Sequence, residues 1–267
     1  GFLPELMEKI YNERVTFKKK MLVAKQENEK NPSAQLEKDI STYNNIQMAR
    51  KIQLNSAYGA LGNKYFRYFK LANAEAITLS GQVSIRWIEN KVNEYLNTLL
   101  KTEDVDYVIA SDTDSIYLNL GPLVTKFFSN RIDDKAAIVS ILNKVCQDKL
   151  EPFITESYEE LAEYLSTYDQ KMIMKRENIA DRGIWTAKKR YILNVWDSEG
   201  VRYTEPKLKI MGIEAVKSST PAVCRKKIKE ALNIIMNETE EDLVKFIDKF
   251  KSENIASEII EEYKKII

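Results

Sequence analysis

Histidine is absent from all 267 residues, which removes the commonest general base and metal ligand. Chemistry in this chain has to run on carboxylates, cations and bound metal. Cysteine is scarce: Cys146 and Cys224 lie far apart and read as buried thiols. No apolar run approaches the ~20 residues that a bilayer span needs, and the opening GFLPELMEKIYNER lacks the apolar core of a signal peptide, so a cytosolic protein without a membrane partner is expected. Neither sign of charge dominates, with 41 Lys+Arg against 40 Asp+Glu, so a nucleic-acid partner has to be sought in local clusters. Internal repeats and low-complexity tracts are missing too. What remains, 44% hydrophobic and 30% charged residues, is the composition of a folded chain of one large domain or two to three smaller ones.

Residues 3–29 and 35–58 are long, charged and nearly free of glycine, and "NPSA" at 31–34 breaks them, which predicts an antiparallel helical hairpin. "GALGN" and the aromatic patch "KYFRYFK" follow, then a helix from about Asn73 to Leu100. "GALGNK" at 59–64 is too short between its glycines for a phosphate-cradling Walker loop and reads as a helix C-cap and turn. Two short strands, Tyr107–Ala110 and Ile116–Leu120, are expected around an Asp-Thr-Asp turn. Residues 134–166 read as helix interrupted at Pro152, and 172–214 as strands with "DSEG" at 197–200 as a hairpin turn. From Thr220 the chain is helical again, with Thr220 as N-cap, Pro221 at the first helical position, and a capping box at Thr239 and Asp242. The fold class expected is α+β.

The stretch "VIASDTDSIYLNL" sets Asp112 and Asp114 one residue apart between strands. On an extended chain both would leave the same face, and carboxylates ~5 Å apart repel by roughly 3 kcal/mol at an effective dielectric near 20. A divalent cation offsets that repulsion; a solvated turn is the alternative that these two residues alone leave open. On the hairpin, Arg14 and Lys18 share one helix face, as do Lys51 and Asn55. Arg14 and Lys51 lie about 18 residues either side of the hairpin centre, so at 1.5 Å per residue they sit at one height, ~27 Å down. A triphosphate is the anion such a patch fits, and two solvated helix faces are the alternative. Around Ala187–Tyr191, with Lys171, Lys175, Arg176 and Arg182 upstream, lies the most basic part of the chain, suited to phosphate contact without sequence reading or to a solvated sheet edge.

Three of these stretches carry a resemblance. "KIQLNSAYG" (51–59) resembles motif B of the family B DNA polymerases, Lys-x-x-x-Asn-Ser-x-Tyr-Gly; "SDTDS" (111–115) resembles their motif C; "AKKRY" (187–191) resembles their Lys-Lys-Arg-Tyr element. They occur in the family's order, and "NSAYGALGN", "KIMGIEAVKSSTP" and "AITLSGQVSIRWI" are similar to the T-even-like bacteriophage replicative branch. The resemblance covers about residues 10–236. It implies fingers at 1–62, part of a palm at 63–217 and a partial helical thumb at 218–267. It further implies that Asp112 and Asp114 are catalytic and hold two Mg²⁺ ions, with Mn²⁺ as a substitute and Glu177 as a further metal ligand. Arg14, Lys18, Lys51, Asn55 and Tyr58 would bind the incoming dNTP; Gly59, Lys188, Lys189, Arg190 and Tyr191 would meet primer–template DNA. Many relatives carry Asp where this chain has Lys175, which weakens the case for a larger acidic cluster.

The family's motif A, an Asp followed by Ser-Leu-Tyr-Pro-Ser, supplies another metal carboxylate and has no counterpart in these residues, nor has the 3′-5′ exonuclease. The chain is therefore expected to be a partial polymerase, a split subunit that docks onto a second chain bearing those parts, in the host cytoplasm if viral. Alone it would be inactive. The rival readings are a truncated inactive fragment and a non-catalytic DNA-binding remnant; a cyclase acting on free nucleotides has no use for the basic strand or the long hairpin.

Overall fold

In the computed structural model, which describes residues 1–129 and 134–252, the chain forms two compact units. The first comprises Gly1–Glu177 with the short segment Ser198–Arg202; the second comprises Asn178–Asp197 and the chain from Tyr203 onward. The class is α+β, as the sequence predicts: the described residues form helices with one two-stranded and one three-stranded sheet.

In the first unit, α1 (Phe2–Lys30) and α2 (Ala34–Leu61) make the expected antiparallel hairpin. Pro4 is tolerated because it falls in the first turn of α1, where backbone N–H groups have no intrahelical acceptor. Ser33 caps α2, its side chain accepting from the Leu36 N–H at 3.2 Å. The arms bury little, so cross-helix pairs fix their register: Phe17 and Tyr43 pack with ring centroids 6.3 Å apart, and Arg50 Nε lies 2.8 Å from Glu13 Oε2. Helix α2 runs straight through Gly59 to a C-cap at Gly62, so the predicted helix end at residue 58 is three residues short. One glycine costs about 1 kcal/mol in a helix interior, too little to stop a 28-residue helix.

Helix α3 (Leu71–Leu100) provides the core of this unit. Its buried residues Ser84, Ile88, Val92, Leu96 and Leu100 recur every fourth position as one stripe. Ile88, Val92 and Leu96 are wholly buried, each contributing about 1.5–3 kcal/mol by area removed from water. Against this stripe pack α4 (Gly121–Phe128) and α6 (Glu151–Tyr164), while α5 (Lys135–Val145) leads into α6. Tyr95 stacks on Phe153 at 4.4 Å, and the Trp87 indole N–H donates to the Ser157 carbonyl at 2.8 Å. The interruption predicted at Pro152 is a π-helical turn at Cys146–Leu150 just before it. Proline lacks the N–H that the ladder needs, and widening the preceding turn lets α6 continue. Cys146 is buried, its thiol pushed up to about 11 chiefly by that burial, whereas Cys224 is only half-buried, contrary to the expectation for both.

The second unit is a three-stranded antiparallel sheet, β3 (Asn178–Ala187), β4 (Arg190–Ser198) and β5 (Val201–Met211), with β4 in the middle. A short 3₁₀ turn, Glu214–Val216, leads to α7 (Ala222–Asn237) and α8 (Glu240–Ser252). Ile192, Ile213, Ala215, Leu232 and Met236 form its core. Pro221 is itself the N-cap of α7, with ψ at 146° and no side-chain cap bond, so the helix starts one residue later than predicted. The Thr239–Asp242 box is as expected: the Asp242 N–H donates to Thr239 Oγ1 at 3.3 Å, and the Thr239 hydroxyl donates back to Asp242 Oδ2 at 2.6 Å. The predicted helical tail beyond Ser252 lies outside the described residues, and no described helix is long and apolar enough to cross a membrane.

Candidate active site

Strands β1 (Val108–Asp112) and β2 (Ser115–Leu118) pair antiparallel, with Asp112 opposite Ser115, so Thr113 and Asp114 alone make the turn. The entry to β1 is pinned by two asparagines of α3. Asn93 Oδ1 accepts from the N–H groups of Tyr107 (2.9 Å) and Val108 (3.1 Å), and its amide donates to Asp106 Oδ1 at 2.8 Å. Asn97, one helical turn on, donates to the Val105 carbonyl at 2.8 Å. A bulge between Val108 and Ala110 leaves Ile109 half exposed.

The turn is tighter than an extended chain, on which the two aspartates would share a face. Thr113 has φ 57°, in the left-handed region, and the Asp114 N–H reaches back to the Asp112 carbonyl at 2.6 Å. The Thr113 hydroxyl donates to Asp112 Oδ1 at 3.0 Å, and that of Ser115 to the Asp112 carbonyl at 3.1 Å. Asp112 is half-buried and Asp114 exposed. The charge of Asp114 is felt by the buried Tyr158, whose hydroxyl is pushed up to about 12, by burial first and by Asp114 second. As hard oxygen donors the two carboxylates suit Mg²⁺, which takes one or two of them together with water and phosphate oxygens. Among the described residues no three acidic or thiol groups come together as a metal site, so Glu177 does not complete a cluster with this pair. Its carbonyl instead accepts from the Glu199 N–H at 2.6 Å.

The Glu13–Arg50 pair sets the faces of the helical hairpin. Arg14 follows Glu13, and Lys51 follows Arg50, by one residue or about 100° of helical turn. Because the helices run antiparallel, the two rotations carry both side chains to the same side, and Lys18 and Asn55, each four residues further, stay on it. The four residues predicted to grip a triphosphate therefore share one side of the hairpin. Lys51 and Asn55 are exposed, and Arg14 Nε is buried without a hydrogen-bond partner. Lys18 is engaged: its ammonium donates to Glu199. Glu199 and Gly200 form the β4–β5 turn with φ 53° and 91°, both in the left-handed region, at the hairpin turn expected of "DSEG". Tyr58 is exposed, its hydroxyl 2.8 Å from Thr78 Oγ1, and a Cβ added at Gly59 would meet open space.

Lys188 and Lys189 are the exposed two-residue connection between β3 and β4. Of the other members of that element, Ala187 is exposed, Arg190 is half-buried and Tyr191 is buried. Tyr191 is 7% exposed and stacks on Trp185 at 6.2 Å; on a central strand an aromatic ring gains most by burial. Arg190 gives both guanidinium nitrogens to Glu214, at 2.9 and 2.6 Å. Upstream, Arg176 donates its backbone N–H to Glu151 Oε1 at 3.0 Å and its guanidinium to the Glu177 carbonyl at 3.3 Å, and Arg182 donates to the Met236 carbonyl at the end of α7 at 2.8 Å. Much of the basic cluster thus holds the protein together.

Glu214 escaped the sequence reading, since nothing local marks a carboxylate whose partner lies 24 residues away. The Arg190 bond first, and the Lys217 bond second, lower its carboxyl from 4.5 to about 2. A depressed carboxylate stabilises the fold fully above its unfolded value and loses that contribution as pH falls through its folded value. Thermal melts of the chain are therefore expected to weaken between pH 4.5 and 2, and Glu214→Gln to flatten that part of the profile. A variant as acid-sensitive there as the parent would contradict the assignment.

A model of DNA polymerase family B matches residues 1–151. The chain is 46% identical over 202 residues to the DNA-directed DNA polymerase of Escherichia phage RB69, covering 73% of this chain and 22% of that protein. It is 42% identical over 225 residues to the DNA-directed DNA polymerase of Enterobacteria phage T4, covering 81% and 25%. A more distant match is the DNA polymerase alpha catalytic subunit of Arabidopsis thaliana, 31% identical over 148 residues, 55% of this chain and 8% of that protein. The chain spans about a quarter of the length of the phage relatives. With the family model covering more than half of its 267 residues, and two phage polymerases matching most of it, the chain belongs to DNA polymerase family B.

Proposed function

We propose that this chain is the fingers and part of the palm of a DNA-directed DNA polymerase, which transfers a deoxynucleoside monophosphate to a primer 3′-OH with release of pyrophosphate in the host cytoplasm. The observation that carries the reading is the common side shared by Arg14, Lys18, Lys51 and Asn55, in the same compact unit as the Asp112–Asp114 turn. Arg14 and Lys51 neutralise the triphosphate, Arg14 with its fork of donors and Lys51 as a point charge. Lys18 joins them on leaving Glu199. Asn55 donates an amide, and Tyr58 underlies the nascent base pair. Gly59 fits that role: nothing in the fold requires a glycine there, and a missing side chain lets a base pair approach the helix closely.

Asp112 and Asp114 would hold Mg²⁺ at the strand ends. When bound, that cation polarises phosphoryl oxygens and stabilises charge on the attacking and leaving oxygens. The chain's own task is to orient its carboxylates, close its finger cations over the phosphates and exclude water. Further metal carboxylates come from outside these residues, and a second polymerase chain carrying motif A and the exonuclease is our candidate for their source. Apolar surface supports a partner: Ile109 on β1 and Ile77, Leu79 and Val83 on α3 are all 45–60% exposed, and a two-stranded sheet is marginal on its own.

Primer extension tests the proposal. With Mg²⁺ and dNTPs the isolated chain is expected to add nothing, and mixing it with a chain bearing Asp-Ser-Leu-Tyr-Pro-Ser is expected to restore synthesis. Synthesis by this chain alone would refute the need for a partner. Duplex binding that never turns into synthesis with any such partner would identify a non-catalytic remnant.

A further inference from the structure

Lys188 and Lys189 sit on a two-residue turn, and long exposed side chains on such a turn sweep a wide volume unless its backbone is fixed. This backbone is fixed from one segment. Gly212, with φ 67°, lies so close that a Cβ there would come within 2.1 Å of the Lys189 carbonyl oxygen. Two residues on, Glu214 grips Arg190 with both carboxylate oxygens at 2.9 and 2.6 Å and takes Lys217 Nζ at 3.0 Å. The Thr186 hydroxyl donates across the hairpin to the Arg190 carbonyl at 3.2 Å. A carboxylate is the wrong charge to set inside a phosphate-binding element. It opposes the field of the lysines and neutralises one arginine, so its use has to be geometric.

We infer that Glu214, backed by Gly212, is a positioning residue that locks the Lys188–Lys189 turn and aims its two ammonium groups at the backbone of a bound duplex. The inference rests on the reading of this turn as a DNA contact given above. Its virtue is a sign. If only charge matters, Glu214→Gln frees Arg190 and Lys217, adds net positive charge, and tightens DNA binding with a steeper salt dependence. If Glu214 positions the turn, the same change weakens binding and flattens the salt dependence, because the lysines no longer register on phosphates.

The experiment titrates a fluorescently labelled primer–template duplex with the full chain over a range of KCl, comparing Glu214→Gln, Glu214→Asp and Lys188→Ala/Lys189→Ala with the parent. Each lost phosphate contact lowers the slope of log K on log[salt] by roughly 0.9, about eightfold in affinity near 0.1 M salt. The double lysine variant is expected to lose one to two such contacts, Glu214→Gln about one, and Glu214→Asp, which keeps the charge, to keep the parental slope while binding more weakly than the parent. Glu214→Asp also serves as the test if the Gln variant does not fold, since a charge-only role predicts parental slope and affinity for it, while positioning predicts parental slope with affinity reduced by the shortened reach. Binding tightened by Glu214→Gln, or parental affinity in Glu214→Asp, overturns the inference and leaves the DNA contact standing. A parental slope in the double lysine variant overturns the DNA contact itself and the inference with it.

Discussion

On the proposed function, changing Asp112 and Asp114 together to asparagine is expected to abolish nucleotide incorporation by this chain with its complementing chain while leaving the fold intact. Asparagine keeps the shape of each side chain, and its carbonyl oxygen still accepts the Thr113 hydroxyl bond that Asp112 now receives at 3.0 Å. The turn itself is held by backbone, through the Asp114 N–H on the Asp112 carbonyl and the Ser115 hydroxyl on the same oxygen. What disappears is two negative charges, hence two hard ligands. Metal-assisted stabilisation of a phosphoryl-transfer transition state is worth several kcal/mol, and about 4 kcal/mol corresponds to roughly a thousandfold in rate. Single-turnover incorporation, measured with the complementing chain at saturating primer–template, reads this directly. Duplex affinity should hold or rise slightly, since negative charge is removed near a polyanion. The Tyr158 hydroxyl offers an internal check: with Asp114 neutral its titration midpoint falls below about 12 yet stays above that of an exposed tyrosine, because burial is the larger cause. Incorporation at the parental rate would remove these carboxylates from the chemistry.

The helical hairpin was legible because its signals are local and long: two glycine-poor runs, a break at "NPSA" and Ser33 in capping position. The acidic turn was legible for a similar reason, as two short β-forming runs around Asp and Thr. Its backbone was not, because one residue in the left-handed region cancels the period-2 rule, and nothing in "SDTDS" marks Thr113 as the residue that turns. Gly59 read as a helix end and proved to be helix interior, where the neighbouring good helix formers outweigh a single glycine. The largest gaps concern partners distant in sequence. Lys18 meets Glu199 across 181 residues, Arg190 meets Glu214 across 24, and Arg182 meets the end of α7 across 54. Periodicity places a charge on a face but does not say what stands opposite. For that reason a basic cluster that reads as uniformly available for DNA contains two exposed turn lysines beside arginines whose guanidinium groups bond within the protein.

The second large effect is structural, and it belongs to Gly212. Replacing it with alanine is expected to destabilise the chain by roughly 2–5 kcal/mol. About 1–2 of these come from holding a Cβ-bearing residue near φ 67°, and about 1–3 from overpacking. Relief is hard to find, because the obstruction is backbone: the Lys189 carbonyl oxygen at 2.1 Å and its carbon at 3.2 Å from the added Cβ, with Arg190 Cγ also at 3.2 Å. A flexible side chain would swing aside, but a carbonyl at a two-residue turn moves only if the turn moves. Gly183 is the instructive contrast. A Cβ there would press on the Trp185 ring at 2.7 Å and on Leu193 Cδ2 at 2.9 Å, both side-chain atoms, and its φ is not in the left-handed region, so Gly183→Ala should cost less than Gly212→Ala. Gly200, at φ 91° with open space around it, should show the conformational part alone. Denaturant midpoints for the three alanine variants separate the contributions, with the loss at Gly212 exceeding that at either of the others. A Gly212→Ala midpoint within error of Gly200→Ala would mean that the 212–217 segment yields easily, and such a segment cannot hold the basic turn rigid.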